Sequence, residues 1–145
     1  MCGAVAAGQT VSATQRIVME VKPVTRLVVS GAPSPLLITA GGGGGSVTDR
    51  ASRYSLVTNI GGMRIAASID RPMPSGTSLA IMLESSRGTS RGEVDITGST
   101  VSTDVVAGIR PGSERDQTIT YRFSALPGIA DLASQERTVT LTLTD

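Results

Sequence analysis

The chain of 145 residues has no histidine, no tryptophan, a single cysteine (Cys2), a single lysine (Lys22) and three aromatic residues, Tyr54, Tyr121 and Phe123. Each scarcity excludes a class of chemistry. Without histidine there is no Ser–His or Cys–His nucleophile pair, no imidazole metal ligand and no imidazole pH switch. One cysteine leaves no internal disulfide and no cysteine cluster for zinc. So few aromatics give little platform for stacking sugars or single-stranded nucleic acid. The net charge is +1, and the arginines are interspersed with acids, so no basic block for nucleic acid arises. No stretch approaches the ~20 apolar residues of a membrane span. The composition predicts a protein without catalysis and without a cofactor.

What is abundant is alternation. Ile17, Met19 and Val21 share one side of a period-2 pattern, with Arg16, Val18, Glu20 and Lys22 opposite and Pro23 ending the run. The same period recurs in Tyr54–Thr58, Arg64–Ile69, Leu79–Leu83, Ile119–Phe123 and Thr138–Thr144. It places one set of side chains on each side of a sheet. Threonine and β-branched residues suit such a pleated, half-buried surface. Prolines 72 and 74 cannot sit in a central strand, and Asn59-Ile60-Gly61-Gly62 reads as a hairpin turn. The doubled Ser86-Arg87-Gly88 and Ser90-Arg91-Gly92 read as a polar turn. One helical turn is expected at 129–133. Strand spacings of about 8–12 residues predict an all-β, immunoglobulin-like Greek-key β-sandwich of about eight or nine short strands. The expected core is Leu27, Val29, Leu56, Ile65, Ile69, Leu79, Ile81, Leu83, Ile96, Ile119, Tyr121, Phe123, Val139, Leu141 and Leu143.

One sandwich domain is expected over 13–145. Residues 1–12 read as a signal-peptide remnant or a disordered N-terminus, since Ala4-Val5-Ala6 fits the small-x-small rule for signal-peptidase cleavage. The corresponding location is secreted or at the cell surface. The five glycines Gly41–Gly45 carry large backbone entropy and no side chain to bury, so they read as a mobile surface loop.

Motifs for chemistry fail on inspection. The glycine run lacks the Gly-Lys-Ser/Thr of a phosphate loop, because the only lysine is Lys22, which also has no base-like setting beside a serine. Glu93/Asp95 and Glu114/Asp116 stand at i, i+2, a spacing that places two carboxylates on one strand face. Such pairs hydrolyse glycosides only when held in a cleft at ~5–9.5 Å, and a solvated strand face is the simpler reading. Asp49, Asp104 and Asp116 lack the Asp-x-Asp-x-Asp-Gly spacing of a calcium loop, so no metal is expected.

The sequence Arg16-Ile17-Val18-Met19-Glu20-Val21-Lys22-Pro23, followed by Leu27-Val28-Val29, Tyr54-Ser55-Leu56-Val57-Thr58-Asn59 and the terminal Thr138–Thr144 strand, resembles secreted fimbrial subunits of the alternate-chaperone type. That resemblance covers most of the chain in arrangement. It implies an incomplete sandwich whose N-terminal strand, residues 13–22 with Ile17, Met19 and Val21 as its apolar face, fills a groove in the next subunit of a filament. The partner is then the protein itself or another surface protein. The terminal strand alternates so fully that the sandwich is also compatible with Ile17, Met19 and Val21 simply pairing inside their own domain. A second reading is a stand-alone surface binding or adhesion module. Its loops Gly41–Ser46, Ser86–Gly92 and Gly108–Arg115 would offer Arg87, Arg91, Arg110 and Arg115 to carboxylate or sulfate groups. A virion decoration protein shares the same physics.

Overall fold

The structure, a computed structural model, describes residues 10–38, 43–129 and 134–145. Nine strands follow one another among the described residues: β1 Thr25–Ser30, β2 Gly45–Thr58, β3 Met63–Ile69, β4 Thr77–Leu83, β5 Thr89–Ser90, β6 Val94–Asp95, β7 Thr103–Ile109, β8 Gly112–Ala125 and β9 Val139–Thr144. They form two antiparallel sheets, one in the order β1-β2-β8-β4-β6 and the other β5-β7-β3-β9. The fold is an all-β sandwich. The expected helical turn at 129–133 falls almost wholly outside the described residues.

Period 2 explains the core. Tyr54, Leu56, Leu79, Ile81, Leu83 and Ile119 from the first sheet meet Met63, Ile65, Ala67, Ile69, Val105 and Ile109 from the second, all buried. Burying one such aliphatic side chain is worth ~1.5–3 kcal/mol, so this layer holds the sheets together. Val29 departs from expectation. It stands half exposed, because among residues of β1 Leu27 alone turns toward the interior.

Two strands are long. β2 and β8 run 14 residues each and pair along their length, with register shifts between Asp49/Ser52 and Tyr54/Leu56. The shifts are bulges, which bend a strand and add a residue without losing the pairing on either side. Among the described residues Asp116, on β8, is the non-glycine residue with a positive φ, 52°. The bulge there changes the parity of β8: Glu114 faces inward before it and Ile119 after it. Strict alternation read from sequence cannot pass through such a point.

Three turn expectations change as well. Asn59–Gly62 joins β2 of one sheet to β3 of the other, so it is a corner between layers and not a hairpin within one sheet. The polar segment after Leu83 holds the two-residue strands β5 and β6, one in each sheet. Of the glycine run, residues 41 and 42 lie outside the described residues, while Gly45 opens β2 opposite Ala125. Gly44, at φ +72°, passes so close that a Cβ would stand 2.7 Å from the Ala125 carbonyl oxygen. Only glycine fits there.

Candidate assembly surface

Residues 10–24 join no strand ladder and lie exposed throughout. Ile17, Met19 and Val21, expected to form a strand, are 70%, 84% and 87% exposed. The alternating pattern is present, but no strand among the described residues pairs with it, and the first ladder there begins only at Thr25. Pro23 contributes to this break, because it has no N–H to offer a neighbour. The result is an extended apolar arm on the end of β1.

The root of the arm is held by one residue. Val24 N–H donates to Asn59 Oδ1 at 2.8 Å, Asn59 Nδ2 donates to the Lys22 carbonyl at 2.9 Å, and Asn59 N–H donates to the Val24 carbonyl at 3.2 Å. These bonds continue the β1–β2 ladder one step past Thr25↔Thr58. The corner carrying Asn59 is itself braced. Ile60 N–H donates to Thr58 Oγ1 at 3.0 Å, the Thr58 hydroxyl contacts Met63 Sδ at 3.2 Å, and Gly62 N–H donates to the Ile109 carbonyl at 3.0 Å.

The two flanks of the sandwich differ. One ends in β5 and β6, two residues each, and the segment after β6 takes up neighbouring backbone groups. Leu79 N–H donates to Thr97 Oγ1, Met73 N–H to the Thr97 carbonyl and Ile69 N–H to the Ser99 carbonyl. Such short, covered edges resist further pairing. The other flank ends in β1 and β9, six residues each, which lie side by side. Each has a ladder on one side only among the described residues. On β9 the inward set Val139, Leu141 and Leu143 packs against the core but stays partly exposed, whereas Ile65 on the adjacent β3 is fully buried. This flank is unfinished in both backbone pairing and apolar cover.

The arginine-bearing loops behave otherwise. Arg87 donates from Nη1 to the Pro111 carbonyl at 2.9 Å and from Nε to the Ser113 carbonyl at 3.4 Å. Its guanidinium crosses Gly112, where any Cβ would collide with it. Arg110 donates from Nε to the Arg87 carbonyl and from Nη2 to the Ser86 carbonyl, both at 3.3 Å. These two side chains fasten one loop to another instead of standing free as ligand anchors. Arg91 and Arg115 are exposed and sit apart from them, Arg115 in a shallow depression on β8 beside Arg26 and Asp116. Of the glycine-rich loop, the described residues 43–46 lie at the opposite end of β2 from the corner at Asn59. At ~3.3 Å per residue, a strand of that length separates them by ~45 Å. The described residues of the three loops form no common binding face.

Beneath the fastened loops lies a buried carboxylate that sequence reading placed on a solvated face. Glu114 is 2% exposed and accepts from the Ser85 hydroxyl at 2.7 Å, the Ser86 hydroxyl at 3.3 Å and the Arg87 backbone N–H at Oε1. The Tyr54 hydroxyl lies 3.3 Å from Oε2 and contacts the Glu84 carbonyl. Burial first, then the charge of Glu114, pushes the Tyr54 phenol well above its ordinary range. Burial, followed by Asp49, raises Tyr121. Asp116, across the bulge, instead points to solvent, with its N–H on Ser55 Oγ at 3.1 Å. The i, i+2 carboxylates therefore do not form a pair. Glu93 and Asp95 do share a face, lining a shallow exposed depression with Arg122: Glu93 binds Arg122, while Asp95 accepts from Thr97 N–H at 2.8 Å, and the Thr97 hydroxyl, followed by that N–H, lowers its pKa. No cluster of metal-ligating side chains occurs among the described residues, nor does any helix long and apolar enough to cross a membrane.

Comparison with family models, with curated proteins and with solved structures finds no match.

Proposed function

We propose that the chain is a non-catalytic structural subunit of a secreted or cell-surface assembly, joined to its neighbours through the N-terminal arm. The observation that carries this reading is the arm itself, an alternating apolar segment left unpaired on a protein that also has one flank of unpaired edges. Strand addition satisfies both at once, because the incoming backbone pairs with the edge while its alternate side chains fill the apolar slot.

The magnitudes are of a size that permits assembly. Ile17, Met19 and Val21, each fully buried, contribute ~1.5–3 kcal/mol apiece. Ordering some ten residues costs about 1 kcal/mol or more for each. Apolar burial alone therefore falls short, and half a dozen ladder hydrogen bonds at ~1 kcal/mol each are needed to offset the ordering cost. The arm thus needs an edge and not merely a greasy surface.

The test is removal of residues 10–22, with thermal unfolding, light scattering and electron microscopy of the product. An intact fold that no longer associates or forms filaments supports the proposal. Undiminished association, or a full-length chain that stays monomeric at every concentration, defeats it. The rival reading as a loop-based binding module gains nothing from Arg87 and Arg110, whose guanidinium groups are spent on backbone carbonyls.

A further inference from the structure

A strand-bearing arm attached to a molecule with an open edge faces a competition. Pairing with its own edge is intramolecular and enjoys an effective concentration in the millimolar range when the connection allows it. Pairing with a second copy does not. The geometry here favours the second, and Asn59 is the reason.

To reach the free edge of its own β1, the arm has to reverse direction between Lys22 and Val24. Those residues are the ones that Asn59 grips. Its side chain engages Lys22 and Val24 together, and its backbone N–H binds the Val24 carbonyl. They carry the pairing of β1 one step beyond Thr25↔Thr58, and a reversal there would break the three bonds to Asn59. The braced corner leaves Asn59 no freedom to follow a reversing chain. The arm's remaining residues stay exposed and join no ladder among the described residues.

We infer that Asn59 is a positioning residue that holds the arm away from its own flank and commits it to the β1/β9 flank of a second copy. This rests on the assembly reading above and adds to it the device that decides between pairing in one chain and pairing between two. An alternating apolar strand is what this flank lacks. Ile17, Met19 and Val21 repeat the i, i+2, i+4 interval of the half-buried Val139, Leu141 and Leu143, so a strand laid along β9 extends that apolar row rung for rung. The opposite face of the arm carries Arg16, Val18, Glu20 and Lys22, of which the three charged residues suit solvent.

The experiment compares the full chain with Asn59→Ala and with a two-glycine insertion after Lys22, which frees the arm without touching the sandwich. Light scattering across a concentration series gives association, and hydrogen exchange of residues 12–22, β1 and β9 gives pairing. Thermal unfolding of Asn59→Ala confirms that the corner still folds. The expected result is that the parent protects its arm, together with β1 or β9, only when associated. Both variants then protect the arm in the monomer and need at least about tenfold more protein to associate. Variants that associate like the parent, or a parent whose arm is protected while monomeric, overturn the role of Asn59 and leave arm-mediated assembly standing. Protection of the arm without slowing of β1 or β9 overturns the choice of flank. A parent that stays monomeric with an unprotected arm removes the assembly reading itself, and this role of Asn59 with it.

Discussion

Glu114→Ala is the substitution whose cost follows most directly from the geometry. The side chain is buried, and three donors converge on Oε1: the hydroxyls of Ser85 and Ser86 and the backbone N–H of Arg87. Removing the acceptor leaves that N–H with no route to a replacement, while each serine can rotate toward water or a neighbouring carbonyl. An unsatisfied buried donor costs ~1–3 kcal/mol, and the lost bonds were charge-assisted, so the total comes to about 3–5 kcal/mol. Glu114→Gln keeps an oxygen for the three donors and turns its NH2 toward the Tyr54 hydroxyl, which can accept, so its cost is about 1–2 kcal/mol. Urea unfolding of the two variants measures both values. Hydrogen exchange adds a local readout, with Arg87 and Gly88 amides accelerated in Glu114→Ala beyond the global loss. A loss below about 0.5 kcal/mol for the alanine variant, or equal losses for both, would refute the reasoning, because the carboxylate would then be an ordinary surface group.

Three further outcomes are expected. Replacing Ile17, Met19 and Val21 together by serine abolishes association while leaving the unfolding temperature of the monomer unchanged within about 1 °C, since none of the three contributes to the core; a large drop in that temperature contradicts the placement of the arm. On alkaline titration, neither tyrosine ionises at its ordinary pKa of ~10, because both phenols are raised by burial. A raised folded pKa means that these groups support the fold fully below the unfolded value and lose that support as pH climbs above it, so tyrosinate absorbance should rise together with unfolding; a smooth titration near pH 10 with circular dichroism intact would disprove it. Asp70, lowered chiefly by the Thr138 N–H bond at 2.9 Å that leads into β9, works in the opposite sense. Its contribution is present above the unfolded carboxylate value and is lost as pH falls through the lower folded one, so Asp70→Ala and the parent should converge in stability in strong acid and differ modestly near neutrality.

The fold was legible because alternation is a property of neighbouring residues. Leu79, Ile81 and Leu83 announce a strand face in sequence and occupy it in space. Legibility stops where the ladder breaks. The bulge at Asp116 inverts the parity of β8, so Glu114 looks like the partner of Asp116 in sequence and is in fact buried while Asp116 is not. Val105 and Val106 are both buried on β7 for a related reason, beside register shifts against β3. Pattern alone also could not tell whether Ile17, Met19 and Val21 find a partner in their own chain, because it describes the strand and not the neighbour. Asn59 gave no signal beyond that of a turn former. Its role depends on Lys22 and Val24, far away in sequence and adjacent only after the corner has formed.

The grip at Lys22–Val24 has a mechanical side. Because these residues prolong β1 in its own direction, a pull on the arm travels along that strand and loads all the rungs from Thr25↔Thr58 to Ser30↔Arg53 at the same time. A ladder stressed in shear yields only when its bonds fail together, whereas one peeled from an end gives way bond by bond. Tension passed from one molecule to the next through this arm would thus be borne by the β1–β2 pair as a unit, and through β2 by its long partnership with β8.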